Sequence, residues 1–308
     1  MKAVVSGAAG FIGSHLVDAL LDRGYRVTGI DRQSRSAFPG YRHAVLDLAD
    51  HPTHTGLVDI LGDADIVFHL AGRPGIRGSG PVVDETRRRD NVVATRHVLS
   101  ATPTDTPVVA TSSSSVYGGC VMGSGGPLAS KEDDPLRPRG GYARSKLTME
   151  HLCESRRAQG GVAAVARPFT VAGEGQRTDM AFSMWLEAAR RGEPIRIFGS
   201  EARSRDITDV RHVVEGVIRA GERRVNTTVN LGTGVGHRLI DMVRSLLAAA
   251  DLDTEIVRQP VSADEVDATL ADTSRCQAVL GFVPETDLNR LLRRQVEATI
   301  PRPVMVAT

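Results

Sequence analysis

The sequence predicts an α/β protein: a doubly wound parallel sheet followed by a smaller, mixed α/β domain. Three observations carry this. Short β-branched runs alternate with longer segments of helical periodicity through the first half of the chain. A spaced glycine motif joins the first run to the first helical segment. After about Pro168 the alternation loosens. Near-continuous apolar strands are buried on both faces, which places helices above and below the sheet. A chain of 308 residues can bury a core large enough for one such unit or for two domains.

Taken in order, Ala3–Val5, Arg26–Ile30, His43–Leu46, Asp65–Leu70, Pro107–Thr111 and Val162–Ala166 read as the buried strands. Ile12–Arg23, Asn91–Ala101 and Tyr142–Arg157 show helical spacing between them. Further helices are expected near Met180–Arg191, Val210–Ala220, Ile240–Ala250 and Leu288–Glu297. Residues 1–168 are therefore expected to form a first domain and 169–308 a second, smaller one, with some later segments free to return to the first.

Composition excludes several partners. Net charge is +1, so bulk charge implies no nucleic acid, and the Arg87-Arg88-Arg89 run reads as a solvated helix face. Three cysteines without C-x-x-C spacing read as free thiols in a reducing compartment. The start is too short and glycine-laced for a signal peptide, and no segment reaches the ~20 apolar residues that span a bilayer. A soluble cytoplasmic protein without membrane contact is the expectation. The nine histidines show no metal-ligand spacing, so no metal is expected.

Gly7-Ala-Ala-Gly10-Phe11-Ile12-Gly13 follows the first strand and opens the first helix. In that setting the glycines permit a tight turn and close approach to a pyrophosphate, whose charge sits on the helix N-terminus. Asp31 ends the second strand, where a carboxylate accepts the ribose hydroxyls and repels a 2′-phosphate. The sheet is thus Rossmann-type and the cofactor NAD in preference to NADP, although Arg32 and Arg35 stand where they could host that phosphate.

Tyr142-Ala-Arg-Ser-Lys146 stands out because the chain holds only three lysines and four tyrosines. Residues four apart share a helix face, so phenol and ammonium point into one space. A nearby cation favours the phenolate, which would make Tyr142 an acid/base near neutral pH.

With these residues in place, the chain resembles the extended short-chain dehydrogenase/reductase family, specifically its NAD-dependent nucleotide-sugar epimerase/dehydratase branch. The likeness runs nearly the whole length. Its carriers are the glycine loop, Asp47-Leu48, His69-Leu70-Ala71-Gly72, Thr111-Ser-Ser113-Ser114-Ser115-Val-Tyr-Gly118, the Tyr142/Lys146 pair, Arg205-Asp206 and Ala271-Asp-Thr-Ser274. The resemblance implies that Ser113 hydrogen-bonds the sugar O4 beside Tyr142 and that Lys146 holds the nicotinamide ribose. It also implies that Asp47 touches adenine, with Leu48, Leu70 and Ala71 in the cofactor set.

Dehydratases of the branch carry Asp and Glu after that serine. Here Ser114 and Ser115 cannot act as general acid and base near pH 7. Phe169-Thr170-Val-Ala-Gly-Glu-Gly-Gln-Arg177-Thr-Asp-Met-Ala181 resembles the FTVYGP…RPDMA segment of UDP-glucuronate 4-epimerases, and Arg73-Pro-Gly-Ile-Arg77 their QAGVR loop. That similarity implies a UDP-sugar substrate, with Ser114, Ser115 and Thr170 around its carboxylate, Arg77 in the substrate site, and Arg177 and Arg205 near the diphosphate. It implies 4-epimerisation of UDP-glucuronate to UDP-galacturonate through a 4-keto intermediate. Other readings stay open: a 4-epimerase of neutral or N-acetylated UDP-hexoses, a UDP-uronate decarboxylase, or a non-catalytic NAD-binding sensor.

Departures from the pattern fall on the substrate side: Ala172 for tyrosine, Glu174 and Thr178 for prolines, Asp209 for tyrosine, Arg211-His212 for an acidic pair, and Gln259–Val266 in place of a QPGDV-like stretch. His69 reads as a packing residue at a strand end, and Met184 and Trp185 as core. Relatives form a two-fold dimer through the helices containing Asn91–Ala101 and Tyr142–Arg157, so a homodimer is expected.

Overall fold

Alternation of side chains along each strand decides the layering. Ala3 and Val5 face one apolar core, and Val4 faces the other. Phe68 and Val67, Val109 and Val108, Ala164 and Val165 divide in the same way, as a sheet covered on both faces requires. The computed structural model describes residues 1–50, 55–75, 78, 80–261 and 265–299.

The central sheet has seven strands, named in chain order β1 (Lys2–Ser6), β2 (Arg26–Asp31), β3 (Tyr41–Val45), β4 (Ile66–His69), β5 (Val108–Thr111), β6 (Ala163–Pro168) and β7 (Thr228–Leu231). All pairs are parallel, and the order across the sheet is β3-β2-β1-β4-β5-β6-β7. The order reverses between β1 and β4. A crevice at the carboxyl ends of the strands is expected at that point.

One face is covered by Leu16, Val17 and Leu20 of helix Phe11–Asp22 together with Val213 and Val217 of helix Val210–Glu222. The other is covered by Val98 of helix Ala94–Ala101 and by Met149 and Cys153 of helix Gly140–Ala158. Each such buried aliphatic side chain stabilises the fold by roughly 1.5–3 kcal/mol.

The second lobe has its own core, built from helices Ala181–Arg190, Leu239–Ala250 and Leu288–Ala298 against Ile195 and Ile197. Strand Ser204–Asp209 runs between Thr170–Ala172 and Gly236–Arg238 and brings its carboxyl-terminal half towards the first lobe. The chain then returns through helix Val210–Glu222 and β7, so residues beyond 168 contribute to both lobes.

Three local differences from the sequence reading have physical causes. β3 starts at Tyr41, not His43, because Tyr41 pairs with Val27 and its buried ring fills the space beside Gly29. The helix expected from Asn91 begins as a wide π-helical turn over Arg88–Val93 and becomes α-helical at Ala94. The arginine run is not one solvated face. Arg88 pairs with Glu85 at the surface, whereas Arg87 is buried against Asp84 and the Gly75 carbonyl, and Arg89 binds Asp47, Asp50 and Asp90. No described helix is long and apolar enough to cross a membrane.

Candidate active site

A cavity of about 1810 Å³ follows the carboxyl ends of β1, β2, β4, β5 and β6 and continues along helix Ala181–Arg190 of the second lobe. The candidates named from the sequence line it except Arg35, which is not part of the lining, and Arg77, which lies outside the described residues.

The cofactor end is made of backbone. Gly7 has φ +72°, and a Cβ there would sit 2.7 Å from the Ala71 nitrogen. A Cβ on Gly13 would sit 2.0 Å from the Gly7 carbonyl oxygen. Helix Phe11–Asp22 starts at Gly10 with no side-chain cap, leaving its first amides for an anion. The Asp31 carboxylate accepts from the Ala9 amide at 3.0 Å and the Gln33 amide at 3.1 Å, which fixes the loop to the end of β2. Phe11 and Ile12 pack on the first core behind the loop. A narrow cradle, an open helix terminus and a ribose-side carboxylate fit NAD.

Beyond them lie Leu48, Leu70 and Ala71, with Asp47 accepting from the Ala49 amide at 2.9 Å and from Arg89 at 2.8 Å. Burial pushes the Asp47 carboxyl up, but Arg89, the Ala49 amide and Arg32 together hold it below its ordinary range.

Behind the loop, His69 completes a one-directional relay. The Ala71 amide donates to Ser6 Oγ, Ser6 bonds His69 Nδ1 at 2.7 Å, His69 Nε2 bonds Thr95 Oγ1 at 2.9 Å, and Thr95 donates to the Asn91 carbonyl. That order assigns the neutral Nε2–H tautomer. Burial, with Lys146 nearby, pushes the imidazole down to about 3, so His69 is a structural residue, as its sequence position suggested.

On the opposite wall, helix Gly140–Ala158 aligns Tyr142 and Lys146, and the Tyr142 phenol lies beside the Ser113 hydroxyl, just past the end of β5. Ser113 has extended φ −163° and caps the 3-10 turn Ser114–Tyr117 by accepting from the Ser115 amide at 3.2 Å. The charge arrangement differs from the sequence expectation. Burial raises the Tyr142 phenol above its ordinary value, and the opposing influences are Ser113, Arg177 and Arg87. Lys146 instead turns its Nζ to the Thr111 carbonyl at 2.8 Å, and burial pushes it down to about 8 against the pull of Glu150.

Asn91 joins the same wall. Its Oδ1 accepts from the Arg73 amide at 2.7 Å, and its Nδ2 donates to Ser145 Oγ at 2.8 Å. A Cβ on Gly72 would meet Asn91 Oδ1 at 2.6 Å, so only glycine lets these chains approach. Behind Ser113, Ser112 bonds Glu150, which forms a buried two-pronged pair with Arg167. This polar backing fixes the strand end that carries the serines.

Toward the second lobe, Ser114, Ser115 and Thr170 line the cavity, and Ser115 Oγ is buried with no partner among the described residues. Arg177 holds Asp179 through two bonds of 2.9 and 2.8 Å. Arg205 reaches the Ser204 and Asp267 carbonyls and shares Glu265 with the buried Arg203. Asp206 is structural: it accepts from the amides of Thr233, Gly234 and Ala271.

Sequence reasoning missed Asn91, Arg87 and Arg203. For Arg87 the Asp84-x-x-Arg87 spacing was an available signal, since residues three apart pair on a helix. Arg203 and Asn91 left none. Trp185 packs in the second core as expected, but Met184 does not: it is 40% exposed and lines the cavity, because the helix turns that face toward the opening. Among the described residues no group of histidine, cysteine and carboxylates has metal-site geometry.

The chain is similar to known proteins over nearly its whole length. A curated relative, the uncharacterised UDP-glucose epimerase YtcB of Bacillus subtilis (strain 168), is 30% identical over 96% of this chain and 97% of its own length. Among solved structures, MoeE5 in complex with UDP-glucuronic acid and NAD superposes with a TM-score of 0.88 at 35% identity, covering 97% of this chain and 99% of that one. The UDP-glucuronic acid 4-epimerase of Bacillus cereus, solved with UDP-glucuronic acid and NAD, gives 0.87 at 29% identity over 97% and 98%. With residues 3–232 also matching its family description, the chain belongs to the NAD dependent epimerase/dehydratase family.

Proposed function

We propose that the protein is an isomerase that inverts C4 of a UDP-sugar, acting on UDP-glucuronate to give UDP-galacturonate. The observation that carries this is the wall beside Tyr142, where Ser113, Ser114 and Ser115 offer hydroxyls and no carboxylate, and where Ser115 Oγ lacks a partner. Binding of UDP-glucuronic acid by the similar MoeE5 and the Bacillus cereus enzyme supports the substrate class.

NAD, held by the glycine loop and Asp31, would supply the acceptor and donor of hydride at C4. The chain's residues do the rest. Tyr142 takes the proton of the 4-hydroxyl and later returns it, with Ser113 sharing the hydrogen bond at O4. Burial raises the phenol, and Ser113, Arg177 and Arg87 draw it back down. Lys146, anchored on Thr111, is placed to grip a ribose hydroxyl and to add its charge when protonated. Arg177 and Arg205 are assigned to the diphosphate, which suits guanidinium forks.

A 4-keto uronate is a β-keto acid and loses CO₂ when its carboxylate bond lies along the carbonyl π system. Hydroxyl donors from Ser114, Ser115 and Thr170 hold the carboxylate out of that alignment, and no acidic residue stands at Ser115. Dehydration is disfavoured for the same reason. A homodimer through helices Ala94–Ala101 and Gly140–Ala158 is a further proposal that rests on the resemblance, and a cytoplasmic location one that rests on the three unpaired cysteines.

The test is to incubate the purified protein with NAD and UDP-glucuronate and to identify products by NMR. UDP-galacturonate supports the assignment. A UDP-pentose with released CO₂ makes it a decarboxylase, and turnover of UDP-glucose or its N-acetylamino analogue alone makes it a neutral-sugar epimerase.

A further inference from the structure

We propose that Asp90 sets the choice between the two nicotinamide dinucleotides by holding Arg32 away from the adenosine ribose. A 2′-phosphate needs a guanidinium beside the carboxylate that ends the second strand. Two arginines follow Asp31 closely, and the structure commits both elsewhere. Arg35 binds Asp18 at 3.0 Å and lies over the Tyr41 and Phe38 rings, 5.2 and 5.8 Å from their centres. Arg32 is drawn across the cavity to Asp90, with contacts of 3.2 and 3.4 Å, and stands 3.6 Å from Asp47.

Asp90 has the geometry of an anchor. It lies in the π-helical turn, and its side chain is 4% exposed. Its two oxygens also receive Arg73 at 3.2 Å and Arg89 at 2.9 Å. Arg89 in turn binds Asp47 and Asp50, each at 2.8 Å. Around the ribose end, three guanidiniums (Arg32, Arg73, Arg89) thus face four carboxylates (Asp31, Asp47, Asp50, Asp90). A 2′-phosphate would add about −1.5 to −2 to a region already one charge negative. To meet it, Arg32 would have to give up its two contacts with Asp90, leaving that carboxylate to Arg73 and Arg89. Asp90 is therefore a positioning residue: it does not reach the reacting carbons, and it acts through Arg32.

The inference rests on the cofactor site alone and holds whatever sugar the enzyme uses. It is tested by isothermal titration of nucleotide-free protein with NAD and with NADP, comparing the two dissociation constants. In Asp90→Asn the ratio of NADP to NAD constants should fall by about tenfold, and Arg32→Gln added to it should restore the original ratio. An unchanged ratio in Asp90→Asn, or a gain that survives Arg32→Gln, overturns the proposal. Arg32→Gln alone gives a second reading should Asp90→Asn fail to fold. An unaltered ratio agrees with an arginine already withheld, whereas weaker binding of NADP but not of NAD shows that Arg32 was free, and refutes it.

Discussion

The two ends of the cavity are built by different means. The cofactor end consists of glycines, backbone amides and one carboxylate, all near the ends of β1, β2 and β4. The substrate end consists of arginines and their acidic partners, gathered from loops, strands and helices far apart in the chain. Behind its wall, outside the cavity lining except for Gln176 and Gln295, a knot joins Arg294 to Glu174 at 3.0 Å and to Asp209, Arg211 to Glu174 at 2.5 Å, and Gln295 to Gln176 at 2.6 Å. Three of the departures from the epimerase pattern, Glu174, Asp209 and Arg211, are therefore one change. An ion-pair clasp takes the place of proline stiffness in the loop that carries Gln176 and Arg177. The comparison teaches that one end of the cavity is shaped by backbone spacing, while the other is held by side-chain pairing across the chain.

The largest expected effect breaks the first end. Gly13→Ala forces a methyl to 2.0 Å from the Gly7 oxygen. Overpacking of roughly 3 kcal/mol against unyielding backbone should weaken NAD binding by about a hundredfold or more. Titration calorimetry reads it, and an affinity within threefold of wild type would mean that the loop is far softer than its geometry.

A smaller effect sharpens the contrast at the other end. Arg294→Met removes the centre of the clasp, where the Arg294, Glu174 and Asp209 side chains are 10–20% exposed. A contribution of about 1 kcal/mol for part-exposed pairs corresponds to a KM for the UDP-sugar raised about three- to tenfold. NAD affinity should not move, and the KM change should shrink in high salt. Equal losses at both sites would show that the two ends are not separately built.

How much of this was legible follows the same division. The glycine loop, Asp31, Ser113 and the Tyr142/Lys146 pair were readable because each depends on spacing within a few residues, set by one strand end or one helix face. The clasp was not, since Arg294 meets partners 120 and 85 positions away. The approach of Asn91 was hidden for another reason: it lies in a wide helical turn over Arg88–Val93 that no residue pattern announces. The electrostatics of Tyr142 were misjudged from spacing alone, because shared helix face does not tell which way a lysine turns its ammonium.

The smallest effect at neutral pH concerns the relay behind the cofactor loop. His69 stays neutral in the folded protein down to about 3, whereas the unfolded chain takes its proton near 6.5. Below 6.5 the unfolded state binds more protons, so this residue makes stability fall as pH falls through that window. His69→Gln should flatten the acid limb by about 1.4 kcal/mol per pH unit between pH 5.5 and 4. Urea titrations at several pH values read the slope, and parallel limbs for both proteins would remove the relay from the account.

The central claim is that the Tyr142 oxygen, beside Ser113, handles the proton at C4. Tyr142→Phe tests it most directly, with UDP-sugar turnover and NAD binding measured on the same preparation. The account predicts turnover reduced by roughly 10²- to 10⁴-fold with NAD affinity unchanged. Turnover at the wild-type rate in a variant that binds NAD normally would contradict it.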